Sequence, residues 1–293
     1  MVKEMEYEGM VYRPPSEAYS VIIQATIGCS HNKCTFCTMY KGDKFRIKKT
    51  DEIKKDIDDL RSYYPHIRRV FLADGDALII KTKELKEIIQ YINEIIPECE
   101  RIGIYASPTS VKLKTLEELK ELKSIGLDIA YMGLESGNDE VLNKVNKGNT
   151  SEEIVEAGKK LRLAGISLSV TVISGLGGKD LWRQHAIDSA KAINEMNPEY
   201  LGLLTLMVNP GTSLYDQVQS GQFSILTPIE VAEETLLLIE ELDVDNCVFR
   251  SNHASNYVSL SGTLNQDREK LIKQLKSALR GEVHFKDDEM RRF

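Results

Sequence analysis

Six short apolar runs, each followed by a polar or glycine-bearing turn and then a helical pattern, do most to limit what this chain can fold into. They are Val21–Ile27, Arg69–Ala73, Ile102–Ala106, Asp128–Met132, Leu168–Ile173 and Tyr200–Leu206. Several are almost continuously apolar, as parallel strands covered on both faces are. Helix starts between them are legible. Thr115 with Glu118, and Thr150 with Glu153, are spaced so that hydroxyl and carboxylate can each take a backbone N–H left orphaned at a helix start. Strands alternating with helices imply βαβ units and a parallel sheet. Six units predict an α/β fold of the partial or complete TIM-like barrel kind.

From about Thr212 the rhythm changes. Thr227-Pro228-Ile229-Glu230 combines an N-cap threonine, a first-turn proline and a closing glutamate, and predicts a helix to about Leu242. A strand-like Asn246–Phe249 leads through polar Arg250–Tyr257 to a last helix near Asp267–Leu279. The expected organisation is a barrel core over residues 1–211, with a lead-in over 1–20, and a mainly helical C-terminal extension over 212–293.

Composition narrows the function classes. The 293 residues carry 38 Lys and Arg against 45 Asp and Glu, a net charge of −7. An acidic balance argues against a protein that works on nucleic acid, which needs a broad basic face. No apolar run approaches the ~18 residues that would suggest a membrane span. The polar start MVKEMEYEGM has no signal-peptide core, so a cytoplasmic location is expected. In that reducing compartment the five cysteines are poor candidates for disulfides.

Three of those cysteines fall in the first post-strand turn. In βα barrels these turns build the active face. Here they read Gly28-Cys29 onward, Asp74-Gly75-Asp76, Ser107-Pro108-Thr109, Glu135-Ser136-Gly137-Asn138, Ser174-Gly175-Leu176-Gly177-Gly178 and Asn209-Pro210-Gly211. Glycines let a backbone approach a ligand, and the carboxylates and hydroxyls suit amines and ribose; singly, such residues are ordinary turn formers. Cys29, Cys34 and Cys37 give the spacing C-x4-C-x2-C. Clustered thiolates are the protein ligands of iron–sulfur clusters, and three thiolates leave one iron of a 4Fe–4S cubane open to a chelating amine and carboxylate. A zinc site completed by His31 or a distant cysteine is the alternative metal reading. Inert packed thiols are the other, in a loop too polar for a core.

The cysteine loop, with aromatic Phe36 before its last cysteine, resembles that of the radical S-adenosylmethionine (radical SAM) superfamily, with one residue more than the commonest C-x3-C-x2-C. The resemblance runs from about Ser20 to Gly211. It is nearest the branch of elongator-type, methylthiotransferase, oxygen-independent coproporphyrinogen oxidase and magnesium-protoporphyrin cyclase (BchE-like) proteins, through Met132-Gly-Leu-Glu-Ser-Gly-Asn-Asp139. It implies Cys29, Cys34 and Cys37 as ligands of a 4Fe–4S cluster. Asp74-Gly75-Asp76 stands where the family's Gly-Gly-Glu motif binds the methionyl amine of the cofactor, with Asp replacing the first Gly. Ser107 and Glu135 stand where relatives hold ribose and methionine. Lys147 stands where a basic residue, often Arg, pairs with the methionine carboxylate, and a Lys there lacks the bidentate fork. Ser174, with Gly175 and Leu176, stands at the turn beside the adenine.

The resemblance also implies chemistry. The reduced cluster cleaves S-adenosylmethionine to methionine and a 5′-deoxyadenosyl radical, which abstracts hydrogen from a substrate, expected to be a small molecule. The electron comes from a flavodoxin- or ferredoxin-type donor. Cys99 and Cys247 are isolated and read as packed thiols, so no second cluster is expected. The twenty-odd residues before Val21 are too few for a cobalamin domain, and no RNA-binding domain is expected. Lys41, Lys44, Arg46, Lys48 and Lys49 read as a solvated basic segment or as a lure for an anionic substrate or acidic donor. Arg250–Tyr257 reads as a polar loop closing the barrel, with His253 and Tyr257 as its reactive groups. A non-catalytic iron–sulfur carrier or sensor is the competing reading of the same thiolates, followed by a zinc protein.

Overall fold

All six apolar runs hold parallel strands, the first of them splitting into a parallel strand and a short antiparallel one. The computed structural model describes residues 7–291, and the first six residues of the polar start lie outside it. The chain divides into two compact units: one holds the residues up to Asn32, then 39–132 and 160–168, the other 33–38, 133–159 and everything from Ser169.

The first unit holds β1 (Val21–Gln24), β2 (Thr26–Ile27), β3 (Arg46–Ile47), α1 (Thr50–Tyr63), β4 (Arg69–Ala73), α2 (Thr82–Ile95), β5 (Arg101–Ala106), α3 (Pro108–Lys112), α4 (Leu116–Ser124) and most of β6 (Leu127–Glu135). Its parallel strands lie in the order β1-β4-β5-β6. Ile22 stands beside Phe71, Phe71 beside Gly103 and Gly103 beside Ile129. Those alternate positions make one sheet face, where Phe71, Ala73, Ile129 and Tyr131 are buried and Val11, Ile22 and Tyr105 pack on them. The Phe71 ring meets Tyr105 and Tyr131 edge-on at 4.9 and 5.6 Å, an arrangement aromatic rings prefer to flat stacking. Buried Glu17 accepts from Arg101, Tyr131 and Ser20, so its carboxylate is fully engaged below that cluster. β2 pairs antiparallel with β3, Thr26 opposite Ile47, and so ties together the two ends of the chain segment that carries the cysteines.

The second unit takes the last residues of β6, then α5 (Asp139–Lys144), the start of α6 (Ser151–Leu163), most of β7 (Ser167–Ser174), α7 (Gly178–Met196), β8 (Tyr200–Thr205), α8 (Ser213–Gln219), α9 (Pro228–Glu241), β9 (Val248–Ser251), β10 (Leu260–Thr263) and α10 (Arg268–Leu279). β7 runs parallel to β8, from Ser169 beside Tyr200 to Ser174 beside Thr205. The capping boxes expected at Thr115, Thr150 and Thr227 are all formed, each threonine accepting from the amide of the glutamate three residues on. Among the described residues no helix is long and apolar enough to cross a membrane.

The C-terminal region is mainly helical, as expected, through α8, α9 and α10, and adds two short strands. β9 adds to β8 in parallel, Leu201 beside Phe249, and β10 returns antiparallel with Leu260 opposite Ser251. β10 reads Leu-Ser-Gly-Thr, with one apolar residue, so apolar periodicity could not mark it. It forms because the β9 edge supplies the partner and only Leu260 has to be buried. Arg250 and Ser251, expected in a loop, belong to β9, Arg250 exposed and Ser251 buried.

Candidate functional site

The first unit gathers Cys29, Asp74, Gly75, Asp76 and Ser107, which are far apart in sequence. Gly75 follows β4, and its N–H donates to the Gly28 carbonyl at 3.1 Å. A Cβ on Gly75 would stand 2.8 Å from Cys29 Cβ and 3.0 Å from Cys29 Cα and the Tyr40 ring. Only glycine fits that close approach of two backbones. The two aspartates flanking it point to different partners. Asp74 accepts from Gln24 Nε2 at 2.9 Å and from the Gly28 N–H at 3.3 Å, and burial pushes its carboxyl up to about 6. Asp76, fully buried, accepts from Ser30 Oγ at 2.7 Å and from the Ser107 N–H and Oγ at 3.1 and 2.8 Å. Burial raises its pKa, and the serine donors oppose that rise. Its carboxylate therefore straps the cysteine loop to the start of α3, where Ser107 is also the N-cap, accepting from Ser110 N. The resemblance gave Asp76 and Ser107 to the cofactor. The structure shows them bonded to each other, while Asp74 is held by Gln24, Gly28 and, at 3.5 Å, the Tyr40 hydroxyl.

The second unit gathers Cys34 and Cys37 on one side, and Glu135, Lys147 and Ser174 on three turns. The Thr35 N–H donates to the Val145 carbonyl at 2.9 Å, and the Thr35 carbonyl accepts from Leu214 N–H at 3.0 Å. Phe36 packs on Val141, Val145, Ile173 and Leu176, so the aromatic of the cysteine motif serves as the anchor of its turn. Glu135 ends β6 at φ 62°, a left-handed conformation that a side chain adopts at a cost of ~1–2 kcal/mol. Its Oε1 accepts from Lys147 Nζ at 2.9 Å, with both side chains 14% exposed. Gly133 makes room for this pair, since a Cβ there would stand 2.0 Å from Glu135 Oε1. Lys147 is thus no solvated surface lysine. His185 on α7 links the Glu135 turn to β7, accepting from Ser136 at Nδ1 (2.8 Å) and donating from Nε2 to the Ile173 carbonyl (3.1 Å). Complete burial lowers its pKa to about 4 and keeps it neutral.

Sequence reasoning missed Glu234. This buried residue of α9 accepts the Gly175 N–H at Oε1 (2.8 Å), while its Oε2 has no partner. Desolvation pushes the carboxyl up to about 8. The signal was present: Glu234 sits on the stripe that Val231, Thr235 and Leu238 bury, where a carboxylate is out of place. Of the basic segment, Arg46 pairs with Glu8 and Glu52, and Lys48 with Asp56. In the C-terminal loop Ser255 and Asn256 bond to Thr205, and Tyr257 donates to Asp288 at 2.7 Å under the Arg291 guanidinium, so Tyr257 is held as a packing group.

All five cysteines are thiols rather than disulfides. Three thiols on one short chain segment, followed by a glycine turn packed on the first of them, are the donor set and the close-packed cradle that an iron–sulfur cluster takes. Among the described residues no three His, Cys, Asp or Glu side chains form a single-ion metal site, and a cubane, which gives each thiolate its own iron, requires none. Residues 23–190, more than half of the chain, match the radical SAM superfamily. The chain belongs to the radical SAM superfamily. Radical SAM proteins use a 4Fe–4S cluster and S-adenosylmethionine.

Similar curated proteins include heme chaperone HemW from Bacillus subtilis, 21% identical over 181 residues, covering 61% of this chain and 47% of the relative. Ribosomal protein uS12 methylthiotransferase RimO from Caldanaerobacter subterraneus subsp. tengcongensis is 27% identical over 212 residues, covering 69% and 46%. The chain therefore spans about half the length of these relatives. Among solved structures, coproporphyrinogen III oxidase (HemN) from Escherichia coli superposes with a TM-score of 0.55 at 18% identity, over 76% of this chain and 52% of that one. That likeness establishes the fold, a mostly parallel α/β sheet of the TIM-barrel-like radical SAM kind.

Proposed function

We propose that this chain is a radical SAM enzyme in which Cys29, Cys34 and Cys37 hold a 4Fe–4S cluster and S-adenosylmethionine is bound by the turns around them. The observation that carries this reading is the packing of the Asp74-Gly75-Asp76 turn on Cys29, too close for any side chain at Gly75. When bound, cluster and cofactor supply one-electron cleavage of the sulfonium S–C5′ bond, giving methionine and a 5′-deoxyadenosyl radical that takes a hydrogen atom from substrate. The chain's own residues bind and orient. Asp74 and the Gly75 backbone receive the methionyl amine, and Asp76 fixes that turn through Ser30 and Ser107. Lys147, already charge-paired with Glu135, receives the methionine carboxylate, and Glu135 then turns to the ribose. Ser174 borders the adenine, on a turn that Glu234 holds from behind. The core over residues 1–211 makes the radical, and the extension over 212–293 supports it. A cytoplasmic flavodoxin- or ferredoxin-type donor supplies the electron, and the substrate is a small molecule.

The test is anaerobic reconstitution with iron and sulfide, reduction, and addition of S-adenosylmethionine. The expected products are methionine and 5′-deoxyadenosine. Cys34→Ala should lose the cluster absorbance and the cleavage together, and cleavage retained in that variant refutes the assignment.

A further inference from the structure

One carboxyl of the C-terminal extension reaches the strand-end turns of the second unit. Of the five glutamates of α9, Glu230 and Glu240 pair with Lys179 and Lys276, and Glu233 and Glu241 are exposed. Glu234 is buried, and its Oε1 accepts the Gly175 N–H at 2.8 Å. The Leu176 and Gly178 amides of the same turn donate within it, to the Ile173 and Gly175 carbonyls at 3.3 and 3.1 Å. Gly175, at φ 85°, instead finds its acceptor on another element. A neutral carboxyl suits that place, since one carbonyl oxygen is enough for one N–H. An ionised one does not. Its Oε2 has no partner, and the Gly175 N–H and Ser174 hydroxyl do not offset the loss of water. Among the described residues no counter-charge faces it either. From α7 comes His185, with Nε2 3.9 Å from Oε1, but that nitrogen donates to the Ile173 carbonyl and the ring stays neutral. From β7 comes the Ser174 hydroxyl, and from α10 comes Lys276, which is taken by Glu240.

We propose that Glu234 is a positioning residue of the cofactor site, a latch that holds the Ser174–Gly178 turn while protonated and releases it on ionisation. This rests on the reading of that turn as the one beside the adenine. When the proton passes to solvent, the charge left behind is relieved where water reaches it, away from the Gly175 N–H. Cofactor affinity then follows the protonation of a residue that does not itself touch the cofactor. The folded-state pKa is raised, so the latched form is complete at low pH and is lost as pH rises through about 8.

The first measurement needs no cofactor. Hydrogen exchange in the unloaded full chain, read by NMR from pH 7 to 9, compares Gly175 with Leu181, whose amide donates to Gly177 at the start of α7. After removal of the intrinsic rise with pH that both amides share, Gly175 should lose about tenfold in protection and Leu181 none. Glu234→Gln keeps an acceptor that cannot ionise, so its Gly175 should stay protected throughout. The second measurement is calorimetric titration of the anaerobically loaded protein with S-adenosylmethionine. Between pH 7 and 9 affinity should fall about tenfold more in wild type than in Glu234→Gln. If the Gln variant does not fold or load, Gly175 against Leu181 in wild type decides alone. Parallel protection profiles for the two amides overturn the proposal and leave the enzyme assignment standing. So does an affinity with the same pH dependence in both proteins. A loaded wild type that binds no S-adenosylmethionine at pH 7 overturns the reading beneath it as well.

Discussion

Glu234, from the C-terminal helix α9, accepts the N–H of Gly175 at 2.8 Å and is the only carboxylate bonded to the Ser174–Gly178 turn among the described residues. Desolvation holds its carboxyl protonated up to about pH 8, well above the usual value of 4.5. The folded state then binds more protons than the unfolded one between those two pH values, so stability falls as pH rises through that window. The slope is at most ~1.4 kcal/mol per pH unit, which accumulates to a few kcal/mol. Glu234→Gln keeps an acceptor for Gly175 and cannot ionise. Its melting temperature should equal or exceed that of wild type at pH 9, with the advantage shrinking toward pH 5. Parallel pH profiles for the two proteins would refute the buried neutral acid.

On the acid side the sign reverses. His185 titrates near 4 in the fold against 6.5 unfolded, because burial disfavours its charged form. Below pH 6.5 the unfolded chain takes a proton that the folded one refuses, so stability is lost as pH falls toward 4. His185→Gln, which can still meet Ser136 or the Ile173 carbonyl, should melt with a flatter acid limb. Melting scans from pH 7 to 4 read this directly.

Gly75 offers a steric test. A methyl there meets Cys29 Cβ at 2.8 Å and Cys29 Cα at 3.0 Å, atoms that cannot swing away as a flexible side-chain tip could. Gly75→Ala should cost the unloaded protein ~1–3 kcal/mol by overpacking. Its larger effect is on reconstitution, where Cys29 is displaced and iron content falls. Gly42→Ala, with nothing within 4 Å of its Cβ, is the control. Equal iron in all three proteins would mean that the turn does not set the position of Cys29.

How much of this was legible in the sequence follows from what each residue does. Near-continuous apolar runs marked β4, β5 and β6, which are mostly buried, while β7 and β8 alternate buried and less buried positions and were marked by their apolar residues and flanking turns. β10 was illegible because its neighbour strand, not its own composition, makes it a strand. The cysteine spacing and the turn glycines were legible because local chemistry dictates them. That Asp76 bonds Ser30 and Ser107, rather than remaining open, was not, since no spacing rule brings residues 30, 76 and 107 together. The pairing of Lys147 with Glu135 was not legible, because its partner is a residue held at positive φ twelve positions earlier.

The Lys147–Glu135 pair separates charge from fork geometry. Lys147→Met leaves Glu135 without its partner in a largely covered site, so S-adenosylmethionine affinity should fall tenfold or more, which is ~1.4 kcal/mol or above. Lys147→Arg keeps the charge and should bind within a few-fold of wild type. Calorimetric titration of the loaded protein measures both. An affinity unchanged in Lys147→Met would remove Lys147 from the cofactor site.

Asp76 tests whether the aspartate turn works by charge or by tethering. Its two oxygens accept from Ser30 and twice from Ser107. Asp76→Ala strands buried donors and should cost ~2–5 kcal/mol, as the loss of buried hydrogen bonds to a charged group does. Asp76→Asn keeps the shape and one acceptor while removing a buried charge whose ionisation desolvation already opposes. The Asn variant should therefore melt close to wild type and take up iron normally. If Asp76 acts only as the tether, as its bonds indicate, S-adenosylmethionine affinity also stays within a few-fold in Asp76→Asn and collapses only in Asp76→Ala. A tenfold loss in an Asn variant of normal stability and iron content would show that the charge itself reaches the cofactor's amine, returning to Asp76 the direct role that its hydrogen bonds argue against.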